Sequence, residues 1–331
     1  MIGPTATTPS SDEPLVSLAD IQSAASRLKG QAIHTPIISA LDLGSRLGVP
    51  CGVKAESFQR TGSFKFRGAF NYISTMDPSA RARGVIAPSS GNHGLAVACV
   101  AAIFGVPATI VMPTNVTTFK RAGVERYGAT AVLAGITTDD RMSAAEELAR
   151  STGAEIVPPY DDLAIIAGQA TCGLEIITDQ PGASTFVVPV GGGGLSGGIA
   201  TVVKLSRPDV HVVAVEPDGA AKLSAAWRSG SPVRLDNVGS AADGLLAVRI
   251  GARNFAHLQR YADEVVTVSE KEIVEATAYM YRELKLVAEP SGATALAALL
   301  AGKVSPTGET IAVLSGGNIS LDALRDYCAE V

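Results

Sequence analysis

From Gly84 to Pro159 short apolar runs alternate with helix-length stretches, and each stretch closes on a glycine. Val85–Pro88 is followed by Leu95–Phe104 and Gly105, Ala108–Pro113 by Thr118–Tyr127 and Gly128, and Thr130–Ala134 by Asp139–Arg150 and Gly153. Glu155–Pro159 then begins the pattern again. Strands separated by helices of this length lie parallel, because a crossover is needed to bring the chain back to the same sheet edge. The alternation resumes after Asp162, with a helix at Ile165–Thr178, a strand at Thr185–Val190 and a helix at Ser196–Leu205. Strands Val210–Val215 and Glu264–Val268 flank a weakly patterned stretch, Ser229–Gly251. Helices Lys271–Leu284 and Thr294–Leu300, strand Thr310–Leu314 and helix Leu321–Cys328 complete the chain. At 331 residues the chain exceeds one typical core. The expectation is an α/β protein of two parallel-sheet, Rossmann-like lobes: a large unit from residues 15–83 and 154–331, a small one from 84–153, and a disordered Pro/Ser/Thr-rich tail at 1–14. With the sequence ending at this last helix, an appended regulatory domain is not expected.

Composition narrows the function. Hydrophobic residues make up 47% of the chain and charged residues 18%, the opposite of a disordered balance. A formal charge of −5 with no Lys/Arg cluster excludes a nucleic-acid partner. Cys51, Cys99, Cys172 and Cys328 form no CxxC pair, and the four histidines form no HExxH, so neither a zinc site nor a disulfide framework is expected. Free thiols suit a reducing cytoplasm. No apolar run reaches the ~18 residues of a membrane span. The 34 glycines stand among apolar residues, which is how glycines that admit backbone to backbone or ligand are placed.

Four loops between strand and helix concentrate these glycines. Gly191–Gly194 opens the helix at Ser196, where free N–H groups and the positive helix end make an anion site. Gly192, Gly194 and Gly197 also satisfy GxGxxG with Glu216 at the next strand end, a dinucleotide pattern. Gly194, Ser196 and Gly198 satisfy GxSxG with Asp243 and His257 downstream, a hydrolase pattern. A third reading is a phosphate cradle for a smaller cofactor. The second loop is Ser63–Gly68, with Ser63 as a helix N-cap and Lys65 in the first turn. There the helix dipole, Arg60 and Arg67 all push the lysine toward the free amine, which Schiff-base chemistry needs. A solvated surface lysine is the competing reading. The third, Pro88–Gly94, offers Ser89, Ser90, Asn92, His93 and open N–H groups to a carboxylate, or is a plain polar turn. The fourth is Ser315–Asn318.

With these residues in order, the chain resembles the fold-type II pyridoxal-phosphate (PLP) enzymes, in the branch of threonine/serine dehydratases and serine racemase. Ser63–Gly68, Ser89–Gly94, Gly191–Gly194, Glu289–Ala293 and Ser315–Asn318 carry the likeness, with Ala167–Thr171 and Ala242–Gly244 in support. The resemblance implies a tryptophan-synthase-β-like architecture with PLP in the cleft between the lobes. It implies that Lys65 holds PLP covalently and then takes the substrate α-proton, while Phe64 packs on the ring. Asn92 would bond the ring hydroxyl, Gly191–Gly194 the phosphate, and Ser315 the pyridine nitrogen. Ser89, Ser90, Asn92 and His93 would grip the substrate carboxylate, and Ser90 aligns with the opposite-face acid/base serine of serine racemase. The implied reaction is α,β-elimination from an L-β-hydroxy-α-amino acid of the threonine/serine type, giving a 2-oxo acid and ammonia. Alternatives are an amino-acid racemase, a 3-hydroxyaspartate or phenylserine dehydratase and, from another class, an NAD-dependent oxidoreductase. A non-catalytic PLP- or amino-acid-binding protein stands further off. The family also implies a homodimer.

The chain departs from the pattern in three places. Relatives of serine racemase carry a divalent metal starting at the position of Glu216, with Ala220 and residue 222 as further ligands. Here residue 222 is a lysine, whose ammonium would replace the cation or else point to solvent. Arg141 aligns with an arginine near the substrate carboxylates and would favour a dicarboxylate, unless it is a solvated helix residue. Leu245, Leu246 and Ala247 stand where a substrate-contacting loop is expected, which favours threonine or a bulkier side chain, unless they are core leucines.

Overall fold

The computed structural model describes residues 14–89 and 91–330. The expected tail therefore lies, apart from Pro14, outside the described residues, as does Ser90. The strands are β1 (Ile37–Ser39), β2 (Cys51–Ala55), β3 (Val85–Pro88), β4 (Ala108–Met112), β5 (Thr130–Leu133), β6 (Glu155–Ile156), β7 (Thr185–Pro189), β8 (His211–Pro217), β9 (Glu264–Val268) and β10 (Thr310–Leu314).

They form two sheets. The larger has the order β1-β2-β10-β7-β8-β9, and the smaller β5-β4-β3-β6. Every pairing is parallel except β1 with β2, an antiparallel edge. Helices Leu18–Leu28, Leu163–Asp179, Gly194–Ser206 and Ala252–Tyr261 cover one face of the large sheet. Helices Leu41–Leu47, Glu270–Arg282 and Pro290–Leu300 cover the other. Burial on both faces explains why β7, β8 and β10 read as unbroken apolar runs rather than alternating ones.

Chain order selects the site. In the large sheet the chain steps from β7 out to β8 and β9, then returns to place β10 on the opposite side of β7. That reversal opens a crevice beyond the C-terminal ends of β7 and β10, where α/β proteins bind ligands. Gly191–Gly194 follows β7, Ser315 follows β10, and the segment leading to Lys65 follows β2, the next neighbour of β10. The small sheet reverses between β3 and β6, and Ser89–His93 follows β3.

Helix Lys65–Thr75 joins the two units, packing between helices Leu163–Asp179 and Asn92–Phe104. Its apolar side, Phe66, Ala69, Phe70 and Ile73, belongs to the core of the small sheet. Close approach to the helix behind it needs two glycines: a Cβ on Gly68 would lie 2.3 Å from Gln169 Nε2, and one on Gly168 2.7 Å from Arg67 O. Gln169 Oε1 accepts the Gly68 N–H at 3.1 Å, a side-chain bond that ties the two helices together. Arg67 is fully buried and bonds both Glu56 (2.7 and 2.8 Å) and Glu175 (2.7 and 2.8 Å), while Lys54 Nζ donates to Glu175 at 2.6 Å. Removing one partner from such a buried set costs about 3–5 kcal/mol, so the cluster holds the lysine's helix in place.

Candidate active site

Lys65 is the first residue of its helix, and Phe64, not Ser63, is the N-cap. Ser63 is extended and pairs with Gly316 in a β-bridge, so its backbone serves the β10 loop rather than the helix end. Its buried Oγ has no hydrogen-bond partner among the described residues. The Phe64 N–H donates to Ser315 O at 3.0 Å, which locks the lysine turn to the serine turn. Lys65 Nζ donates to Pro159 O at 2.7 Å and lies 5.2 Å from the centre of the Phe64 ring.

Burial pulls the Lys65 pKa down to about 8. The expected direction is right and the expected cause is not. Arg67 turns away into its carboxylate cluster, and Arg60 lies over the Phe66 ring at 5.7 Å. Neither supplies the shift; loss of water does.

The β3 loop meets the β10 loop across the cleft. Asn92 Nδ2 donates to Glu289 Oε1 at 2.6 Å, and Asn318 Nδ2 donates to Asn92 Oδ1 and to Thr61 O, both at 2.7 Å. The Glu289 N–H donates to Gly316 O at 3.2 Å. Burial raises the Glu289 carboxyl to about 8, partly offset by Asn92. His93 is 5% exposed, and its Nε2 donates to Val157 O at 2.9 Å. Burial, with the Lys65 charge nearby, lowers His93 to about 3, so the ring is neutral. Ser89 Oγ accepts the Gly91 N–H at 3.2 Å. The Leu95 N–H reaches back to Gly91 O, which leaves the N–H groups of Asn92, His93 and Gly94 at an open helix end.

The β7 loop completes the ring. Gly193, at φ +98, caps helix Gly194–Ser206. The Gly197 N–H bonds Gly193 O at 2.7 Å, so the N–H groups of Gly194, Leu195 and Ser196 form a second open helix end. Tyr160 follows the Pro159 carbonyl that holds Lys65, and its ring lies 2.2 Å from where a Gly192 Cβ would stand. Asn254 Nδ2 donates to Gly192 O at 2.8 Å and Tyr160 O at 3.2 Å, while its buried Oδ1 has no partner. Ser315 Oγ, buried, donates to Ser291 O at a long 3.4 Å.

Other sequence readings lose their residues to structural work. His257 accepts the Val16 N–H on Nε2 and donates from Nδ1 to Arg253 O. Asp243 pairs with Lys120 at 2.7 Å, and Ser196 Oγ donates to Gly193 O. No hydrolase triad forms from these three. Glu216 accepts the N–H groups of Leu223 and Ser224 at 2.9 and 2.7 Å, so it is not free for a ribose. Leu245 is a core residue, packed beside Gly191, while Leu246 and Ala247 are half-buried. Arg141 is half-buried, donating to Ile136 O and Thr138 Oγ1 at 3.0 Å, and its buried Nε has no partner among the described residues.

A desolvated lysine amine, an open anion-binding helix end and a buried serine hydroxyl thus line one crevice. Residues 28–316 match the family described as pyridoxal-phosphate-dependent enzyme. The chain belongs to that family. Among its relatives, the L-threonine ammonia-lyase of Thermotoga maritima is 39% identical over 94% of this chain and 77% of its own length. The L-threo-3-hydroxyaspartate ammonia-lyase of a Pseudomonas species is 36% identical, over 93% of this chain and 97% of its own. Maize serine racemase superposes with a TM-score of 0.91 at 32% identity, covering 96% of this chain and 98% of that one. The PLP fold type read from the sequence is therefore the right one.

The residues fit the cofactor on structural grounds. The glycine run is a cradle that side chains would fill, since Cβ atoms at 192, 193 and 194 would meet Tyr160, Ile250 or Asn254. The open N–H groups above it suit a phosphate. Lys65 Nζ is desolvated and stands at the same crevice. Tyr160, Gln169, Glu289 and Asn318 were not singled out as site residues in the sequence. Gln169, Glu289 and Asn318 lie inside three of the matching motifs, which was the available signal.

Proposed function

We propose that this chain is a PLP-dependent ammonia-lyase that converts an L-β-hydroxy-α-amino acid of the threonine/serine type to a 2-oxo acid and ammonia. The observation that carries the reading is Lys65, an amine at about 8 held by Pro159 O beside the Ser315 turn. When bound, the cofactor supplies the electron sink that makes the substrate α-carbon acidic. Gly191–Gly194 and the helix end behind them would hold its phosphate, Phe64 its ring face, Asn92 the ring hydroxyl and Ser315 the ring nitrogen. Ser315 is a hydroxyl, so it accepts or donates one hydrogen bond without forcing the nitrogen to stay protonated, as a carboxylate would. Lys65, near its pKa at neutral pH, is suited to take the α-proton as a general base.

The substrate carboxylate would sit at the open N–H groups of Asn92 and His93, with Ser89 beside them. His93 contributes its backbone rather than a cation, because its ring is neutral and bonded to Val157 O. By the resemblance to serine racemase, Ser90 is the candidate second acid/base, from which a racemase side activity would originate. A β-hydroxyl leaves readily once the α-proton is removed, so elimination is the favoured outcome.

A second reading is 3-hydroxyaspartate, favoured by Arg141. Its half-buried guanidinium carries a buried Nε–H without a partner, which a second carboxylate would satisfy. Cytoplasmic placement and a homodimer belong to the same proposal, supported by four free cysteines and by the family resemblance.

The test is a panel of L- and D-forms of threonine, serine, 3-hydroxyaspartate and phenylserine, with 2-oxo acid and substrate enantiomer both measured. The expected result is 2-oxo acid from an L-substrate, lost in Lys65→Ala together with the cofactor's visible absorbance. Enantiomer interconversion without 2-oxo acid would overturn the lyase reading, and Arg141→Ala should affect the dicarboxylate alone.

A further inference from the structure

The resemblance implies a divalent cation at Glu216, Ala220 and residue 222, and the residues present do not fit one. Lys222 and Glu216 are both 0% exposed. Lys222 Nζ lies 2.9 Å from Val190 O, 2.9 Å from Ala220 O and 3.0 Å from Leu245 O, with Glu216 Oε2 at 3.5 Å. Three carbonyl acceptors at these distances use three N–H donors, which an ammonium has and a neutral amine lacks. Magnesium would need its oxygens at about 2.0–2.1 Å and calcium at about 2.3–2.6 Å, so this wide cage is sized for N–H···O bonds. The lysine's own nitrogen fills the position where a cation would sit, and Glu216 balances its charge.

The three carbonyls belong to three segments. Val190 is the last residue before Gly191–Gly194, Ala220 lies in the turn after β8, and Leu245 is in the turn whose Gly244 carbonyl closes on Gly191. Pulling them onto one charge fixes the residue from which the glycine run starts and the turn packed beside it. We propose that the Lys222 ammonium is a built-in cation that positions the phosphate-binding loop, so that cofactor binding needs no metal, and that removing it leaves an oxygen-lined site for a small free cation. Lys222 is a positioning residue on this view, since it touches backbone carbonyls and Glu216 rather than substrate or cofactor. The proposal rests on assigning the PLP phosphate to Gly191–Gly194.

The test measures PLP affinity and melting temperature of the full-length enzyme, wild type and Lys222→Ala, after EDTA treatment and at constant ionic strength. Tetramethylammonium, ammonium, potassium or magnesium chloride is the added salt. Wild type is expected to be indifferent to EDTA and to all four salts. Lys222→Ala is expected to bind PLP at least tenfold more weakly and to regain affinity and melting temperature with ammonium but not with tetramethylammonium. Loss of PLP affinity on EDTA treatment of wild type, restored by magnesium, would overturn the proposal. An alanine variant with unchanged affinity, or one that ammonium does not restore, would overturn it as well. Should the alanine variant fail to fold, Lys222→Gln takes its place, and the wild-type EDTA comparison stands regardless. Pyridoxal without its phosphate separates the two readings: if wild type binds it as tightly as PLP, the phosphate assignment fails, while ammonium stabilisation of the variant still reports on the cation site.

Discussion

At the scale of single residues, burial rather than neighbouring charge sets the chemistry. Lys65, His93 and Glu289 all shift toward their neutral forms, and desolvation is the largest cause in each. The sequence shows which residues stand together along the chain, and so invites arguments from Arg60 and Arg67. It does not show that Arg67 spends its charge on Glu56 and Glu175. Glu289 gives a prediction whose sign can be worked out. Its folded pKa of about 8 lies above the ordinary 4.5, so the folded state keeps a proton that the unfolded state loses. The stability this contributes is complete below about pH 4.5 and is lost as pH rises through about 8. Glu289→Gln keeps the acceptor for Asn92 and has no proton to lose. In the cofactor-free protein, melting temperature of wild type minus that of Glu289→Gln should therefore fall between pH 5 and 8.5. A difference independent of pH would show that Glu289 is ionised in the fold.

At the scale of elements, the loops after β2 and β10 are locked together by backbone bonds. Ser63 pairs with Gly316, Phe64 with Ser315, and Gly62 O accepts the Gly317 N–H. This is why Ser63 cannot cap the helix, although serine one turn before an apolar helix is the usual capping signal. The glycine run depends on a contact from a distant chain segment, since Tyr160 fills the space over Gly192. Gly192→Ala would set a methyl 2.2 Å from the Tyr160 ring. Overpacking of this kind costs about 1–3 kcal/mol. The expected outcome is a lower melting temperature and PLP affinity weakened at least tenfold, with the melting temperature recovered when Tyr160→Ala is added. If the double variant melts no higher than Gly192→Ala alone, the ring is not what the glycine accommodates.

At the scale of the whole molecule, ion pairs among the described residues cross from the small-sheet side to the large, Lys120 with Asp243 at 2.7 Å and Arg234 with Asp139 at 3.2 Å. Both are exposed enough to be screened, and such pairs contribute up to about 1 kcal/mol, a factor of about five in an equilibrium. Lys120→Ala should raise KM for the amino acid by up to about fivefold with kcat changed less than twofold, and high salt should erase the difference. Equal KM values at low salt would show that the pair does not help hold the cleft closed. The strand–helix alternation, the parallel sheets and the glycine loops are legible in the chain because local pattern produces them, and the ordered motifs identify the cofactor family. β1, β2 and helix Leu41–Leu47 were not, since such short elements carry little periodicity, whereas helices Leu18–Leu28, Lys222–Ser229 and Ala252–Tyr261, also unanticipated, do carry helical apolar spacing. By itself, then, the sequence determined a two-sheet α/β enzyme with Lys65, Gly191–Gly194 and Ser315 at strand ends. Only the tertiary structure decided that burial, not Arg60 or Arg67, tunes Lys65, that Glu289 and Tyr160 stand in the site, and that Lys222 turns inward onto three carbonyls. Desolvation and carbonyl direction arise from segments far apart in the chain, and no local pattern encodes them.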